Sequence, residues 1–247
     1  MKMIKNITVK ISLSMIVLST LNNKSFAFDA GIKQRPMECT HPRWYDRWAN
    51  GNIKPGVAWD MGSPSPALMK ALNENTIPEG RALVPGCGRG YDVALLGSKT
   101  RYVLAIDIVE KAVNEANEYL KENNVNPAEG EVKVMDFFSL EPDEKFDFIY
   151  DYTFLCALDP TIRNLWAEQM AQLVKPGGEL FCLIFPINEE KESGPPFKVN
   201  LELVKSLLDK EFECKQLEML DKALCHKDRD GSNPALGASG IGRFIKK

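Results

Sequence analysis

The sequence has few histidines and no closely spaced cysteine pairs. Its 247 residues contain two histidines, His41 and His226, and six cysteines, none of which forms a C-x-x-C pair. Zinc sites are usually built from clustered cysteine and histidine ligands, so we expect no metal site. The chain also lacks internal repeats and low-complexity tracts. Its length therefore predicts one sizeable folded core.

A long apolar segment is also missing. The mainly apolar run at residues 11–21 spans only eleven residues, whereas a membrane-spanning helix needs about 20. Three lysines precede this run, and Ser25-Phe26-Ala27 follows it, which is the layout of a secretory signal peptide cleaved after Ala27. The layout predicts a leader over residues 1–27, although a wrongly assigned start or a leader without an export role would look the same. We expect no stable membrane insertion.

Neither sign of charge dominates the sequence. The chain carries 31 basic and 34 acidic residues, a net charge of −3. The leader holds four lysines and no acid, so its removal leaves 27 basic and 34 acidic residues and a net charge of −7. A mildly acidic protein is a poor candidate for binding nucleic acid or an anionic membrane through bulk electrostatics.

Apolar runs and helical spacing alternate along most of the chain. Apolar runs predict strands at 81–84, 102–106, 131–135, 146–150 and 180–185, with two late strands at 212–217 and 241–244. Helical spacing predicts helices at 91–96, 109–122, 162–174 and 199–208. The sequence KPGG at 175–178 is expected to end the third of these helices. The alternation predicts a doubly wound α/β sheet with a ligand above the carboxyl ends of its strands.

A glycine-rich loop directly follows the first predicted strand. Gly86, Gly88 and Gly90 stand at alternate positions, and glycine is favoured where the backbone turns sharply and a ligand approaches closely. The second strand ends in Asp107, which is placed to accept the hydroxyls of a ribose. A plain turn would need the same glycines, but Asp107 favours a nucleoside-bearing ligand. The spacing G-x-G-x-G differs from the G-x-G-x-x-G of dinucleotide-binding folds, which disfavours a nicotinamide oxidoreductase.

Sequence blocks along nearly the whole chain after the leader resemble the thiol/halide methyltransferases of the thiopurine S-methyltransferase superfamily. The blocks are WYDRW (44–48), AWDMG (58–62), the glycine loop, Asp107, DFF (136–138), FDFIYDYTFLCA (146–157), KPGGE (175–179), FPI (185–187) and GPPFKV (194–199). The YDYTF and GPPFKV segments are specific, whereas KPGG is common in methyltransferases. The resemblance implies a class I S-adenosyl-L-methionine (SAM) methyltransferase with a Rossmann-like sheet. It places an N-terminal cover segment at residues 28–78 and the methyltransferase domain at 79–247.

The resemblance also implies which residues hold SAM. These are Trp44, Trp48, Trp59, Gly86, Gly88, Gly90, Asp107, Asp136, Phe137 and Tyr152. Tyr152 and Phe154 are expected beside the transferred methyl group, and no metal is implied. The three tryptophans show no regular helical pattern, which favours a cover over ordinary packing. Two departures from the family stand out: the eleven-residue step from Trp48 to Trp59, which leaves the position of Trp59 open, and the divergent segment 225–239.

The implied reaction is transfer of the SAM methyl group to a small soft nucleophile, namely a thiol, hydrosulfide, thiocyanate or halide. Hydrosulfide, thiocyanate and iodide are largely or wholly anionic at neutral pH and need no general base, and no residue is expected to act as a nucleophile. Two alternatives stay open: methylation of a thiopurine or aromatic thiol, and SAM binding without turnover. We expect a monomer that acts on a small molecule. The leader favours export, whereas the supply of SAM favours the cytoplasm.

Overall fold

A computed structural model describes residues 37–50, 54–57, 59–141, 143–187, 194–226 and 238–247. The predicted leader at 1–27 lies outside the described residues. Within these ranges the fold is one seven-stranded sheet with six α-helices. None of these helices is long and apolar enough to cross a bilayer.

The elements follow one another in alternating order. They are α1 (Met37–Ala49), α2 (Pro66–Asn73), β1 (Gly80–Pro85), α3 (Tyr91–Leu96), β2 (Arg101–Asp107), α4 (Glu110–Glu122), β3 (Gly130–Val134), β4 (Phe146–Tyr152), α5 (Arg163–Leu173), β5 (Val174–Ile184), α6 (Leu201–Leu208), β6 (Phe212–Met219) and β7 (Gly240–Lys246). Short 3₁₀ turns occupy Phe137–Ser139, Leu155–Ala157, Pro160–Ile162 and Lys222–Leu224.

The sheet has the order β3-β2-β1-β4-β5-β7-β6. The first five strands in this order are parallel, and β7 runs antiparallel to both β5 and β6. The predicted α/β class with a Rossmann-like sheet is confirmed, and the two late strands make the sheet mixed. The strand order reverses between β1 and β4, which is where open α/β sheets form a ligand crevice.

The two faces of the sheet bury separate apolar clusters. On β1, Leu83 packs into the cluster beneath α5 and α6, while Ala82 and Val84 pack into the cluster beneath α3 and α4. This alternation follows from the two-residue period of a strand. Trp166 of α5 and Tyr150 of β4 are both fully buried, one on each face. The parallel strands are covered on both sides, which explains their nearly continuous apolar sequences.

A buried ion pair joins the late strands to the parallel part of the sheet. Arg243 of β7 and Glu179 of β5 are 6% and 2% exposed. Two guanidinium nitrogens of Arg243 bond to the Glu179 carboxylate, with Nη2 at 2.9 Å from Oε2. The same nitrogen donates to the carbonyl of Thr76 at 2.6 Å. Both charges are therefore fully engaged within the described residues.

Three local features differ from the expectations of the sequence analysis. The tryptophan stretch is helical, because Trp44 and Trp48 lie one turn apart on α1. Helix α2 was missed. It begins at the N-cap Ser65, with Pro66 as its first residue, an arrangement that favours a helix start. Helix α5 does end before KPGG, at Leu173, but KPGG lies inside β5, which begins at Val174 rather than at the predicted residue 180.

Candidate active site

A cleft opens above the carboxyl ends of β1, β2 and β4 and is bordered by α1. It brings together ten of the eleven predicted site residues: Trp44, Trp48, Trp59, Gly86, Gly88, Asp107, Asp136, Phe137, Tyr152 and Phe154. Gly90 does not line the cleft. The cleft lies where the strand order reverses, as the topology requires.

The glycine loop has left-handed backbone at all three predicted positions, with φ of +59° at Gly86, +53° at Gly88 and +74° at Gly90. A Cβ on Gly86 would lie 2.5 Å from Cδ2 of Phe154, so only glycine lets this ring approach the loop. A Cβ on Gly90 would instead lie 3.1 Å from the Cβ of Ala116 on α4. Gly90 therefore serves the packing of α4 against the loop.

Asp107 ends β2 with both carboxylate oxygens engaged by backbone. Oδ2 accepts from the Gly88 amide and Oδ1 from the Val109 amide, each at 3.0 Å. Burial raises the pKa of Asp107, and these backbone hydrogen bonds oppose the shift. The Ile108 amide also interacts with the carboxylate, which has about four acceptor sites and so keeps one for a ligand. The carboxylate thus holds the glycine loop and the start of α4 in place beside the cleft.

The far end of the cleft is shaped by an aromatic corner after β3. Oδ1 of Asp136 accepts from the Phe138 amide at 3.0 Å and caps the short turn that follows. Phe137 is buried, and its ring centroid lies 5.0 Å from that of Phe154 in an edge-to-face contact. The corner provides an apolar slot with one carboxylate at its edge.

The three tryptophans come together in one cluster that lines the cleft. Trp44 and Trp59 form an edge-to-face pair with centroids 5.2 Å apart. Trp48 is 5% exposed and packs against Val109 and Ala112. The long step between Trp48 and Trp59 therefore does not remove Trp59 from the cleft. Tyr45 lies outside the cleft lining, and its hydroxyl donates to the carbonyl of Ile108 at 2.9 Å.

Arg89 joins the cover to the glycine loop, a role that the sequence analysis missed. Its Nε donates to Oδ2 of Asp60 at 2.7 Å, and its Nη1 pairs with Glu115 of α4. The guanidinium lies 5.0 Å from the ring centre of Trp48. Oδ1 of Asp60 in turn accepts from the amide of Gly62 at 2.8 Å. The motif G-x-G-x-G gave no sign of this contact because its second variable position is unrestricted.

Tyr152 is held by a residue from the divergent segment. Its hydroxyl forms a 2.5 Å hydrogen bond with Nδ1 of His226. His226 is 4% exposed and stacks on Phe185, with ring centroids 4.0 Å apart and planes at 25°. Burial raises the pKa of Tyr152 well above its ordinary value. Most of the divergent segment, residues 227–237, lies outside the described residues.

The two most specific sequence blocks meet behind the cleft. The Phe197 amide of GPPFKV donates to the carbonyl of Cys156 at 2.6 Å. Asp151 accepts from the Leu155 amide at 3.1 Å and from the Trp166 indole at 2.9 Å. Burial raises the pKa of Asp151 to about 6. These contacts fix the turn after β4 and leave Asp151 outside the cleft lining.

The same chain resembles proteins of known family. A family model described as thiopurine S-methyltransferase matches residues 39–236. The chain belongs to the thiopurine S-methyltransferase family. It is 41% identical over 206 residues to "Probable thiol methyltransferase 2" of Arabidopsis thaliana, covering 82% of this chain and 84% of that relative. It is 39% identical over 165 residues to "Thiocyanate methyltransferase 1" of Brassica oleracea, covering 67% and 70% of the two chains.

Solved structures agree with the fold of this thiopurine S-methyltransferase family member. The N-methyltransferase NodS from Bradyrhizobium japonicum, in complex with S-adenosyl-L-homocysteine (SAH), superposes with a TM-score of 0.56. The match covers 72% of this chain and 83% of NodS at 17% identity. At this identity the likeness shows the fold alone, which is the class I methyltransferase fold.

The cleft of this family member is acidic. Its lining includes four aspartates, Asp60, Asp92, Asp107 and Asp136, and a single cationic side chain, Arg89, among the described residues. Arg89 is engaged by Asp60 and Glu115. In the described part of the chain, no group of three or more His, Cys, Asp or Glu side chains is arranged to hold a metal ion. The cleft therefore complements a ligand with net positive charge.

Proposed function

We propose that this chain transfers the methyl group of SAM to a small soft nucleophile, such as a thiol, hydrosulfide, thiocyanate or halide. Membership of the thiopurine S-methyltransferase family makes it a SAM-dependent S-methyltransferase. The single observation that carries the proposal is the cleft itself. It joins a carboxylate at the tip of β2, an aromatic corner after β3 and three tryptophans in one cavity.

The cleft residues fit SAM by their chemistry. Asp107 is placed for the ribose hydroxyls, and Phe137 with Asp136 provides an apolar slot and an acceptor for adenine. Aromatic faces favour a nearby cation by about 0.5–2 kcal/mol, so the tryptophans suit the sulfonium. The four aspartates suit a cofactor that carries one net positive charge. When bound, SAM supplies an electrophilic methyl group whose leaving group is a neutral thioether.

The chain's own contribution to the reaction is alignment and exclusion of water. The cover of Trp44, Trp48 and Trp59 closes one side, and Phe154 and Tyr152 border the place assigned to the methyl group. Holding donor and acceptor in line in a dry site lowers the barrier without a covalent intermediate. Permanently anionic acceptors such as thiocyanate and iodide need no deprotonation.

The division into a cover at 28–78 and a methyltransferase domain at 79–247 belongs to the same proposal. Two described contacts support a cover attached to the domain beneath it. Asp60 pairs with Arg89 of the glycine loop, and Nζ of Lys111 on α4 donates to the carbonyl of Trp48 at 3.0 Å. The cleaved leader at 1–27 and the monomeric state stay predictions.

The experiment combines the purified full-length chain and SAM labelled on its methyl group with five separate acceptors: sulfide, thiocyanate, iodide, thiophenol and 6-mercaptopurine. We expect label in volatile products from the small acceptors. Label on thiophenol and 6-mercaptopurine alone would favour the thiopurine type, for which the aromatic lining of the cleft is suited. SAH binding without transfer to any acceptor would leave a SAM-binding protein. Asp107→Ala serves as the variant with a disabled cofactor site.

A further inference from the structure

One wall of the cleft carries a carboxylate that the proposed alignment of donor and acceptor does not use. Asp92 lies in the first turn of α3 and lines the cleft. Its Oδ1 accepts from the Ser65 amide at 2.8 Å. Its Oδ2 makes no hydrogen bond to the part of the chain that the structure describes. One carboxylate oxygen is therefore anchored and the other is available to a ligand.

Tyr150 supplies an unused donor beside this carboxylate. Its side chain is fully buried and lines the cleft. Its hydroxyl makes no hydrogen bond of ordinary geometry to a described residue, although an interaction with the Ser65 side chain opposes the rise of its pKa. Burial, followed by the charge of Asp92, raises the pKa of Tyr150 well above its ordinary value. The phenol thus keeps its proton. A buried hydroxyl without a well-formed hydrogen bond is costly, which supports a ligand that completes it.

The surroundings of Asp92 contain no free cation among the described residues. Tyr150 and Tyr152 face it from β4, and Asp92 raises the pKa of both. Asp60, from the cover, also raises the pKa of Tyr152 but is itself paired with Arg89. Burial raises the pKa of Asp92 to about 7, opposed only by the Ser65 amide. Asp92 can therefore take up a proton near neutral pH, and its charged form repels an anion.

We propose that Asp92 and Tyr150 form a subsite for the S–H group of a protonated thiol, with Asp92 as the proton acceptor. The inference rests on the proposed function and narrows its substrate class. A thiol can both donate and accept a hydrogen bond. It donates to Oδ2 of Asp92 while its sulfur accepts from the Tyr150 hydroxyl. Thiocyanate and iodide only accept hydrogen bonds. They therefore leave the Asp92 carboxylate without a donor, and its negative charge repels them.

The chemical step balances within the site. The thiol sulfur uses a lone pair to form a new bond to the methyl carbon, and the bond between that carbon and the sulfonium breaks. The departing electron pair neutralises the sulfonium and gives SAH. The acceptor sulfur loses electron density, so its proton moves to the Asp92 carboxylate. The products are a neutral thioether, SAH and a protonated Asp92 that returns its proton to solvent.

The test compares 2-mercaptoethanol, an aliphatic thiol that is mostly protonated at pH 7, with thiocyanate, which carries no proton. Asp92→Asn keeps the oxygen that accepts from Ser65 and removes the proton acceptor. We expect its kcat/KM ratio of thiol to thiocyanate to fall about 100-fold or more, the range of a general base. Thiocyanate turnover should rise, because a charge that opposes the anion is gone. Tyr150→Phe should lower the ratio in the same direction, and the exposed Asp209→Asn should leave it unchanged.

The pH dependence of the thiol rate and the affinity for SAH distinguish a proton acceptor from a cofactor ligand at Asp92. The thiol rate of the native chain should level off above about pH 7, the pKa of Asp92. That of Asp92→Asn should keep rising as more thiolate forms. Calorimetric titration should give SAH affinity within threefold of the native value. An unchanged ratio of thiol to thiocyanate kcat/KM in Asp92→Asn would overturn the proposal. An equal loss of kcat/KM with both acceptors, together with weaker SAH binding, would also overturn it and would make Asp92 a cofactor ligand. A native chain that methylates none of 2-mercaptoethanol, thiocyanate, sulfide and iodide would refute the proposed function and this inference with it.

Discussion

Replacement of Asp107 by Asn tests the ribose assignment and the loop geometry together. The carboxylate accepts two backbone hydrogen bonds at 3.0 Å, and an amide keeps only one acceptor oxygen. Hydrogen bonds to charged groups contribute about 1.5–3 kcal/mol each. The loss of one is partly offset because a buried charge disappears, so we expect about 1–2 kcal/mol less stability. In a chain of this size that lowers the melting temperature by roughly 2–8 °C.

The effect on cofactor binding should be larger than the effect on stability. The same substitution removes one acceptor for the ribose hydroxyls, and about 1.5–3 kcal/mol corresponds to roughly a 10- to 150-fold weaker Kd. Asp107→Ala removes both acceptors and should weaken binding by roughly 10²- to 10⁴-fold, with a greater loss of stability. The alanine variant should therefore be less stable than the asparagine variant while it keeps the fold.

The assay is calorimetric titration of SAH into the ligand-free protein, alongside thermal unfolding followed by circular dichroism. Asp209→Asn, an exposed aspartate with no side-chain contact to the cleft, is the matched control. If Asp107→Asn lowers the melting temperature but leaves the Kd for SAH within threefold, Asp107 is only a clamp for the loop. The ribose assignment would then be wrong.

Substitutions in the glycine loop, in the buried ion pair and at Asp92 give three further predictions. Gly86→Ala strains a left-handed residue by about 1–2 kcal/mol and places a Cβ against Phe154, whereas Gly177→Ala, at φ +77° with open space, introduces the strain alone. Only Gly86→Ala should weaken SAH binding. SAH affinity equal to that of Gly177→Ala would remove Phe154 from the site. Glu179→Gln breaks a buried ion pair and should cost about 3–5 kcal/mol by denaturant unfolding, and a loss below 1 kcal/mol would contradict that. Because the pKa of Asp92 is raised to about 7 from 3.8, its ionisation should destabilise the ligand-free protein as pH rises from about 4 to 7. Asp92→Asn should lessen that decline in melts across this range, and an identical decline would refute the shift.

Much of the sheet could be predicted because its signals are local. The helix at 91–96 was predicted with the bounds that the structure has, and β1 and β2 were each found to within one residue at either end. Apolar runs between glycines leave few alternatives for a buried parallel strand. The early start of β5 was missed because two glycines and a proline usually mark a turn rather than a strand. Here Val174 already pairs with Phe146, and β5 continues beyond a φ of +77° at Gly177.

Helices α1 and α2 were missed for another reason. Helix α2 spans only eight residues, fewer than the roughly 11–18 over which a helical period is recognised. Trp48 gains its burial from Val109 and Ala112 of the α4 region. The capping of α2 by Ser65, followed by Pro66, was a visible local signal that could have identified that helix.

In the candidate site, too, local sequence signals were predictive and long-range contacts were not. Residues carried by motifs were brought together in the cleft, but four polar residues were not foreseen: Asp60, Arg89, Asp92 and His226. Their contacts join positions far apart in sequence. Arg89 reaches Asp60, 29 residues away, and His226 reaches Tyr152, 74 residues away. No spacing rule connects such positions, because only the folded sheet brings them into contact.

The most direct test of the central claim is stoichiometric. The purified full-length chain is incubated with methyl-labelled SAM and a thiol, and SAH and the methylated thiol are quantified in the same reaction. The account predicts equal amounts of both products, formed over many turnovers and lost in Asp107→Ala. SAH binding with no labelled methyl product from any thiol, thiocyanate or iodide would contradict it.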